Sequence, residues 1–265
     1  MRPGLAVVGG GRMGEALVSG LLAGGWGPPS DVVVVERLED RRQVLRRRFE
    51  GVEVHAEPVA AEGAVVAVKP GDVEAACREL ARAGVGRVLS IAAGVRLARL
   101  QEWLGEVPVV RAMPNTPALV GQGAAAISPG RSAGAEDLDW AEGILSAVGT
   151  VVRVPEHLLD AVTGLSGSGP AYVFLVTEAL IEAGVLSGLS RESSSALVVQ
   201  TLLGSARLLA ESGQGPEALR ADVTSPGGTT AAGLRALEDR AVRAAFLEAV
   251  QAAAERSRQL GEAWP

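Results

Sequence analysis

The sequence predicts an α/β fold in two parts: a doubly wound parallel sheet over residues 1–156 and an all-α domain over residues 157–265. Three observations predict it. Short apolar runs without alternation recur before residue 155, as strands buried on both faces would. Helical patterns separate these runs, which is the crossover connection a parallel sheet requires. After Pro155 no strand pattern remains, and five helical stretches follow with Gly or Pro between them.

Residues 5–9 form the first run and lead into Gly9-Gly10-Gly11-Arg12-Met13-Gly14, then a helical pattern through Leu22 that Gly24 and Gly25 stop. This is Gly-x-Gly-x-x-Gly between a strand and a helix, weak alone and good in this setting. Gly9 allows the tight turn, Gly11 lets the backbone approach a pyrophosphate, and Gly14 lets helix and strand pack closely. The first domain therefore reads as Rossmann-like and dinucleotide-binding. The second strand, 31–35, ends at Glu36-Arg37. Glu36 stands where an acidic residue grips the adenosine ribose; an ordinary exposed strand-end Glu is the plain alternative. Arg37 pulls the other way, since a guanidinium can stack on adenine or meet a 2′-phosphate. Residues 38–49 are helical with a solvated Arg46-Arg47-Arg48 face, and 52–54 is a brief third strand.

A fourth buried strand, 64–68, ends at Lys69-Pro70. A lysine at the carboxyl end of a parallel strand lies on the ligand-binding edge of the sheet. Composition sharpens the point, because Lys69 is the sole lysine among 25 basic residues. Asn115 and Tyr172 are likewise the only residues of their types. Then come helix 73–83, strand 87–91, helix 95–104 and strand 107–112, which ends in Met113-Pro114-Asn115-Thr116-Pro117. Two prolines and the sole Asn make a rigid loop expected to face the same crevice. Strand 123–128, helix 136–147 and strand 150–154 complete the sheet.

The remaining helices are 158–186, 191–212, 215–221, 227–238 and 241–260. The first holds three Gly and a Pro between Gly164 and Pro170, which destabilises a helix interior unless it is locally opened or backbones pack closely. Ala and Leu exceed what one small domain can bury, so a subunit interface is expected here. The stretch 222–238 carries Thr224-Ser225-Pro226-Gly227-Gly228-Thr229-Thr230 before an Ala/Leu helical run. Ser225 is expected at the N-cap and Pro226 in the first turn. The Gly pair bares backbone N–H groups at a helix start, a ready anion site. The plain alternative is a capped helix after a tight turn.

Composition sets limits. A net charge of −6 and eight aromatics argue against nucleic acid. No apolar run reaches membrane-spanning length without Gly or charge, and the N-terminus opens directly on a strand, so no membrane and no signal peptide are expected. Cys77 is the one cysteine, and His55 and His157 have no ligand spacing, so no metal site is expected. The compartment reads as cytoplasmic.

Taken together, the Val8–Gly14, 67–70 (Ala-Val-Lys-Pro), 113–117 (Met-Pro-Asn-Thr-Pro), 165–172 (Leu-Ser-Gly-Ser-Gly-Pro-Ala-Tyr) and 224–230 motifs, in this order and spacing, resemble pyrroline-5-carboxylate reductase over essentially the whole chain. The resemblance implies NAD(P)H-dependent reduction of 1-pyrroline-5-carboxylate to proline, the last step of proline synthesis. It implies that Val8, Gly9, Gly10, Gly11, Arg12 and Met13, with Ala67, Val68, Lys69 and Pro70, contact NADPH or NADH. Gly14, Glu36, Arg37 and Asn115 join that set on the reading above. It places Ser225, Gly228, Thr229 and Thr230 on the substrate, with Thr163 nearby, Thr230, Thr163 and Ser225 being the candidate catalytic residues. It also implies a C-terminal dimerisation domain, a homodimer and in some members a decamer. The chain departs from the pattern at Glu36, where NADPH-preferring members carry small hydroxyl or Asn residues, and at residues 55–57, where an Asn is expected.

The chemistry needs little from the side chains. A cyclic imine is electrophilic once protonated, so no catalytic His or activated nucleophile is required. The protein must orient the reacting carbon, dock a carboxylate and hold the ring nitrogen. Backbone donors of 228–230 and the Ser225 hydroxyl suit the carboxylate, and the Thr230 hydroxyl suits the nitrogen. The nucleotide and substrate motifs lie on different domains, so the site is expected where these meet, or between subunits. Three alternatives stand beside this reading. A β-hydroxyacid dehydrogenase would be expected to use a helical lysine, and none follows residue 69. An imine reductase for another cyclic imine is separable by a substrate panel. A non-enzymatic nucleotide-binding protein would have no need of the 224–230 loop.

Overall fold

The computed structural model describes residues 3–262. Eight strands form one sheet: β1 (Leu5–Val8), β2 (Val32–Val35), β3 (Glu53–His55), β4 (Gly63–Val66), β5 (Val88–Ser90), β6 (Val109–Met113), β7 (Gly123–Pro129) and β8 (Gly149–Arg153). Their order is β3-β2-β1-β4-β5-β6-β7-β8. Every pairing is parallel except β6 with β7, so the last two strands run against the other six. This is the doubly wound sheet the sequence predicts, with an antiparallel step at one end.

Alternation along the strands divides the core. Leu5, Val7, Val32 and Val34 join α1 (Arg12–Ala23), α2 (Glu39–Arg48) and α5 (Ala135–Ser146) in one buried cluster. Ala6, Val8, Val33 and Val35 join α3 (Val73–Ala83) and α4 (Leu97–Leu104) in the other. Both faces are covered, which is why these strands read as unbroken Val runs rather than alternating ones.

Two compact units are present. The described residues up to Ser168, with those from Gln251 onward, form the first, and Gly169–Val250 form the second. This division falls later than the 156–157 change in composition, because the segment after β8 packs back on the sheet. Glu156 ties in there: its carboxylate accepts from the Leu97 N–H at 2.6 Å and meets the buried Arg111 guanidinium at 2.9 Å. A single helix over 158–186 is not what forms. The chain makes α6 (Leu159–Val162), a π-helical turn over Thr163–Gly167, and then α7 (Gly169–Leu186). The Ser168 N–H reaches back five residues to the Thr163 carbonyl at 2.8 Å. The Gly-rich run thus opens the helix, the first of the two solutions its composition allowed.

The second unit contains α7, α8 (Arg191–Glu211), α9 (Pro216–Asp222), α10 (Thr229–Asp239) and the first half of α11 (Val242–Glu262). α7 and α8 pack as an antiparallel hairpin held at its turn by Ser190, whose hydroxyl accepts from the Ser193 N–H at 3.0 Å. No residue of α7 is buried within this one chain, and Phe174, Leu175, Leu197 and Leu203 are all exposed. Glu156–Leu186 is also long and apolar enough to cross a membrane by length and composition.

Candidate functional site

One candidate site is where β1, β2 and β4 end. β1 lies between the other two, so the chain leaves the sheet in opposite directions on either side of it, which opens a crevice above the carboxyl ends. The crevice holds about 380 Å³ and is lined by Val8, Gly9, Gly11, Glu36, Arg37, Ala67, Val68 and Lys69, together with Leu38, Ala56, Asp72 and Glu79. Gly9 has φ of +108°, and a Cβ there would stand 2.6 Å from the Ala67 carbonyl oxygen. A Cβ on Gly14 would stand 2.0 Å from the Gly9 carbonyl, so the start of α1 can press on the loop only as glycine. At Gly11 a Cβ would meet nothing within 4 Å. That open space, at the positive end of α1, fits the pyrophosphate of a dinucleotide.

Glu36 is fixed by backbone. One carboxylate oxygen accepts from the Gly10 N–H at 3.1 Å and the other from the Leu38 N–H at 3.0 Å. Two arginines that the sequence reading did not single out brace this turn. Arg41 donates to the Gly10 carbonyl at 2.8 Å, and Arg42 donates to the carbonyls of Glu36 and Arg37 at 2.8 and 2.6 Å. Arg37 itself is engaged: one nitrogen donates to Glu79 at 3.1 Å and the other lies 4.0 Å from Asp72. Asp72 stands just before α3 and Glu79 lies two turns along it, a spacing that puts both acids on one side of the helix. That spacing is the one sequence signal that could have found them.

Other expected cofactor residues do not line the crevice. Gly10 turns its N–H to Glu36, and Gly14 is buried. Met13 packs toward the core cluster under α1. Arg12 lines a separate hollow of about 630 Å³ along α1, which shares no lining residue with the crevice. Pro70 opens a short 3₁₀ turn into α3. Asn115 is buried and both ends of its amide are in use: it donates to the Ser166 carbonyl at 3.0 Å and accepts from the Ala124 N–H at 2.8 Å. It fastens the π-helical turn to the loop after β6. Thr163, in that turn, donates its hydroxyl to the Leu159 carbonyl at 2.8 Å.

The 224–230 loop belongs to the second unit. α10 begins at Thr229 with Gly228 as its cap, so the expected cap at Ser225 and first-turn Pro226 are corrected. The reason is the Pro226-Gly227 pair: Gly227 has φ of +71°, and the Gly228 N–H closes a turn onto the Ser225 carbonyl at 3.0 Å. Proline then glycine with positive φ is the pattern of a type II turn. The Ser225 hydroxyl is tucked against Gly228, where a Cβ would come within 2.3 Å of it. Ser225 is exposed and Thr230 half-buried. The N–H groups of Thr229, Thr230 and Ala231 lie in the first turn and have no helical acceptor. Three N–H donors and adjacent hydroxyls make an end that suits an anion.

Cys77 takes no part. Burial pushes its thiol from the ordinary 9.0 up to about 12. Among the described residues no three His, Cys, Asp or Glu side chains gather into a possible metal set.

Known proteins line up with this arrangement. Residues 156–260 match the family described as pyrroline-5-carboxylate reductase dimerisation. Residues 4–94 match NADP oxidoreductase, coenzyme F420-dependent. The pyrroline-5-carboxylate reductase of Corynebacterium melassecola is 45% identical, covering 97% of this chain and 98% of its own. That of Synechocystis is 44% identical, with the same coverage of both chains. Among solved structures, the enzyme from Coxiella burnetii superposes with a TM-score of 0.92 at 36% identity, over 98% of this chain and 99% of the other. The pyrroline carboxylate reductase of Plasmodium falciparum, solved with NADP bound, superposes at 0.84 with 30% identity, over 98% of each chain.

Proposed function

The chain belongs to the pyrroline-5-carboxylate reductase family, and from that premise we propose how its residues divide the work. It is an NAD(P)H-dependent oxidoreductase that reduces 1-pyrroline-5-carboxylate to proline. The proposed division gives the cofactor to residues 1–156, and the substrate and self-association to residues 157–265.

In the first domain, Gly9 and Gly11 keep the loop free of side chains so that the α1 N-terminus meets the pyrophosphate. Glu36 holds the ribose, and Ala67, Val68 and Lys69 form the far wall. When bound, the reduced nicotinamide supplies the hydride that the imine carbon of the ring receives. In the second domain, the first-turn N–H groups of α10 and the Ser225 hydroxyl hold the substrate carboxylate. Thr230 orients the ring nitrogen, which is already protonated in the reactive iminium. Hydride addition turns that iminium into the secondary amine of proline, so no protein group need exchange a proton during the step. Asn115 and Thr163 fix the backbone of the π-helical turn through the bonds they make to residues 166 and 159. The observation carrying the reading is the hydroxyl-and-glycine turn that delivers Thr229 and Thr230 to a helix start.

The chain self-associates through its C-terminal helices. We assign the exposed apolar faces of α7 and α8 to a homodimer interface, with a decamer of five dimers as the larger form. Residence in the cytoplasm belongs to the same proposal; the lone buried Cys77 suits a reducing compartment. The test is an assay of folded protein with 1-pyrroline-5-carboxylate and each reduced cofactor. Proline formation supports the reading, and absence of turnover with both cofactors overturns it.

A further inference from the structure

The adenosine end of the crevice carries three carboxylates, Glu36, Asp72 and Glu79, beside one guanidinium, Arg37. In the sequence, Glu36 and Arg37 favour opposite cofactors. Their bonding decides between them. The Glu36 carboxylate is anchored by the Gly10 and Leu38 N–H groups, one to each oxygen, so it cannot swing away from a nucleotide. Its remaining lone pairs accept hydroxyl donors, as a ribose 2′-OH and 3′-OH would offer, and repel a phosphate.

Arg37 does not offset this. Its two ends face Glu79 at 3.1 Å and Asp72 at 4.0 Å, linking the end of β2 to α3. Both pairs are more than a third exposed, so alone they would hold the guanidinium only weakly against a phosphate. The sum matters more: three negative charges against Arg37 and Lys69 leave the pocket at −1 before any 2′-phosphate enters. Lys69, the other cation on the lining, ends a strand two places from β2, about 10 Å across the sheet.

We infer that this reductase works with NADH, that Glu36 is the residue excluding the 2′-phosphate of NADPH, and that Asp72 and Glu79 complete the exclusion by neutralising Arg37. The inference rests on the reductase reading and names the cofactor of that same crevice. ADP-ribose and 2′-phospho-ADP-ribose serve as binding probes by calorimetry, beside kcat/KM for NADH and NADPH. The wild type should bind ADP-ribose at least about tenfold more tightly, as a like-charge contact costing 1.4 kcal/mol or more requires. E36S should bring the ratio to unity or reverse it. The D72N/E79Q pair should gain roughly threefold for the phosphorylated probe, a weak exposed pair's worth, and adding R37A should abolish that gain. Melting curves show whether each variant folds; should E36S fail, the D72N/E79Q and R37A series reads the same ratio. Equal or tighter binding of the phosphorylated probe by wild type overturns the inference, as does an unchanged ratio in folded E36S. Discrimination between the probes without turnover of either cofactor would instead remove the reductase reading, and with it NADH turnover, and leave Glu36 as the residue that selects the bound nucleotide.

Discussion

At the scale of single residues, two hydroxyls in one loop should fail differently. Thr230 is half-buried at the second position of α10, where its hydroxyl can align the ring nitrogen. Thr230→Ala and Thr230→Val should therefore lower kcat by about 10- to 1,000-fold, since modest misplacement of reacting atoms is expensive, with cofactor affinity nearly unchanged. Ser225→Ala should raise KM more than it lowers kcat, because a carboxylate anchor binds ground and transition states alike. Steady-state kinetics beside melting temperatures separate both outcomes from simple unfolding. Ser225 is not a helix cap, so its loss should spare most of the roughly 1 kcal/mol that a cap would contribute. Cys77 supplies a pH prediction with a definite sign. A thiol held at about 12 when folded and near 9.0 when unfolded favours the folded state less as pH rises above 9. Its contribution is whole below 9 and lost by 12. Cys77→Ala should flatten that part of a stability-against-pH curve, measured by urea unfolding. Much of the site was legible at this scale. Gly9, Gly11, Glu36 and Lys69, which line the crevice, stood out by residue type and distance from a strand or helix end. The partners of Arg37 were not, because side-chain pairing across a crevice depends on where a strand end and a helix sit, which no local pattern encodes.

Among elements, the strands were the easiest to read, since a strand covered on both faces leaves an unmixed apolar run. The helix over 158–186 was not. Periodicity of 3.6 continues through a π-helical turn almost unbroken, and only the Gly and Pro content hinted at the opening over Thr163–Gly167. The start of α10 was misplaced for a related reason: a proline suits a first helical turn and a type II turn equally, and Gly227 decides for the latter. That turn can be tested. Gly228→Ala would put a methyl group within 2.3 Å of the Ser225 hydroxyl, so that hydroxyl must turn away. The expected outcome is a rise in KM for the imine without loss of the folded state. A second test concerns the tie between β6 and the segment after β8. Arg111 is 4% exposed, and Glu156 meets it while also accepting from the first N–H of α4. Glu156→Ala leaves a buried cation and an uncapped donor, and should cost about 3 kcal/mol or more, visible as a lowered denaturant midpoint.

For the whole molecule, the uncovered faces of the second unit set the expectation. An 18-residue helix none of whose own residues is buried inside its chain is not stable in water by propensity alone. Leu175, 65% exposed, lies on it; Leu175→Glu should reduce the mass found by light scattering to that of one chain. A wild type already monomeric at micromolar concentration would contradict the interface. A different consequence follows from the near absence of lysine. Lys69 is the only ε-amino group in 265 residues, and it is exposed at the rim of the crevice. Amine-directed dyes, usually scattered over a surface, would here attach at one side chain beyond the α-amino group. The molecule carries its own single attachment point for a fluorescent reporter, placed where nucleotide arrival would change the signal.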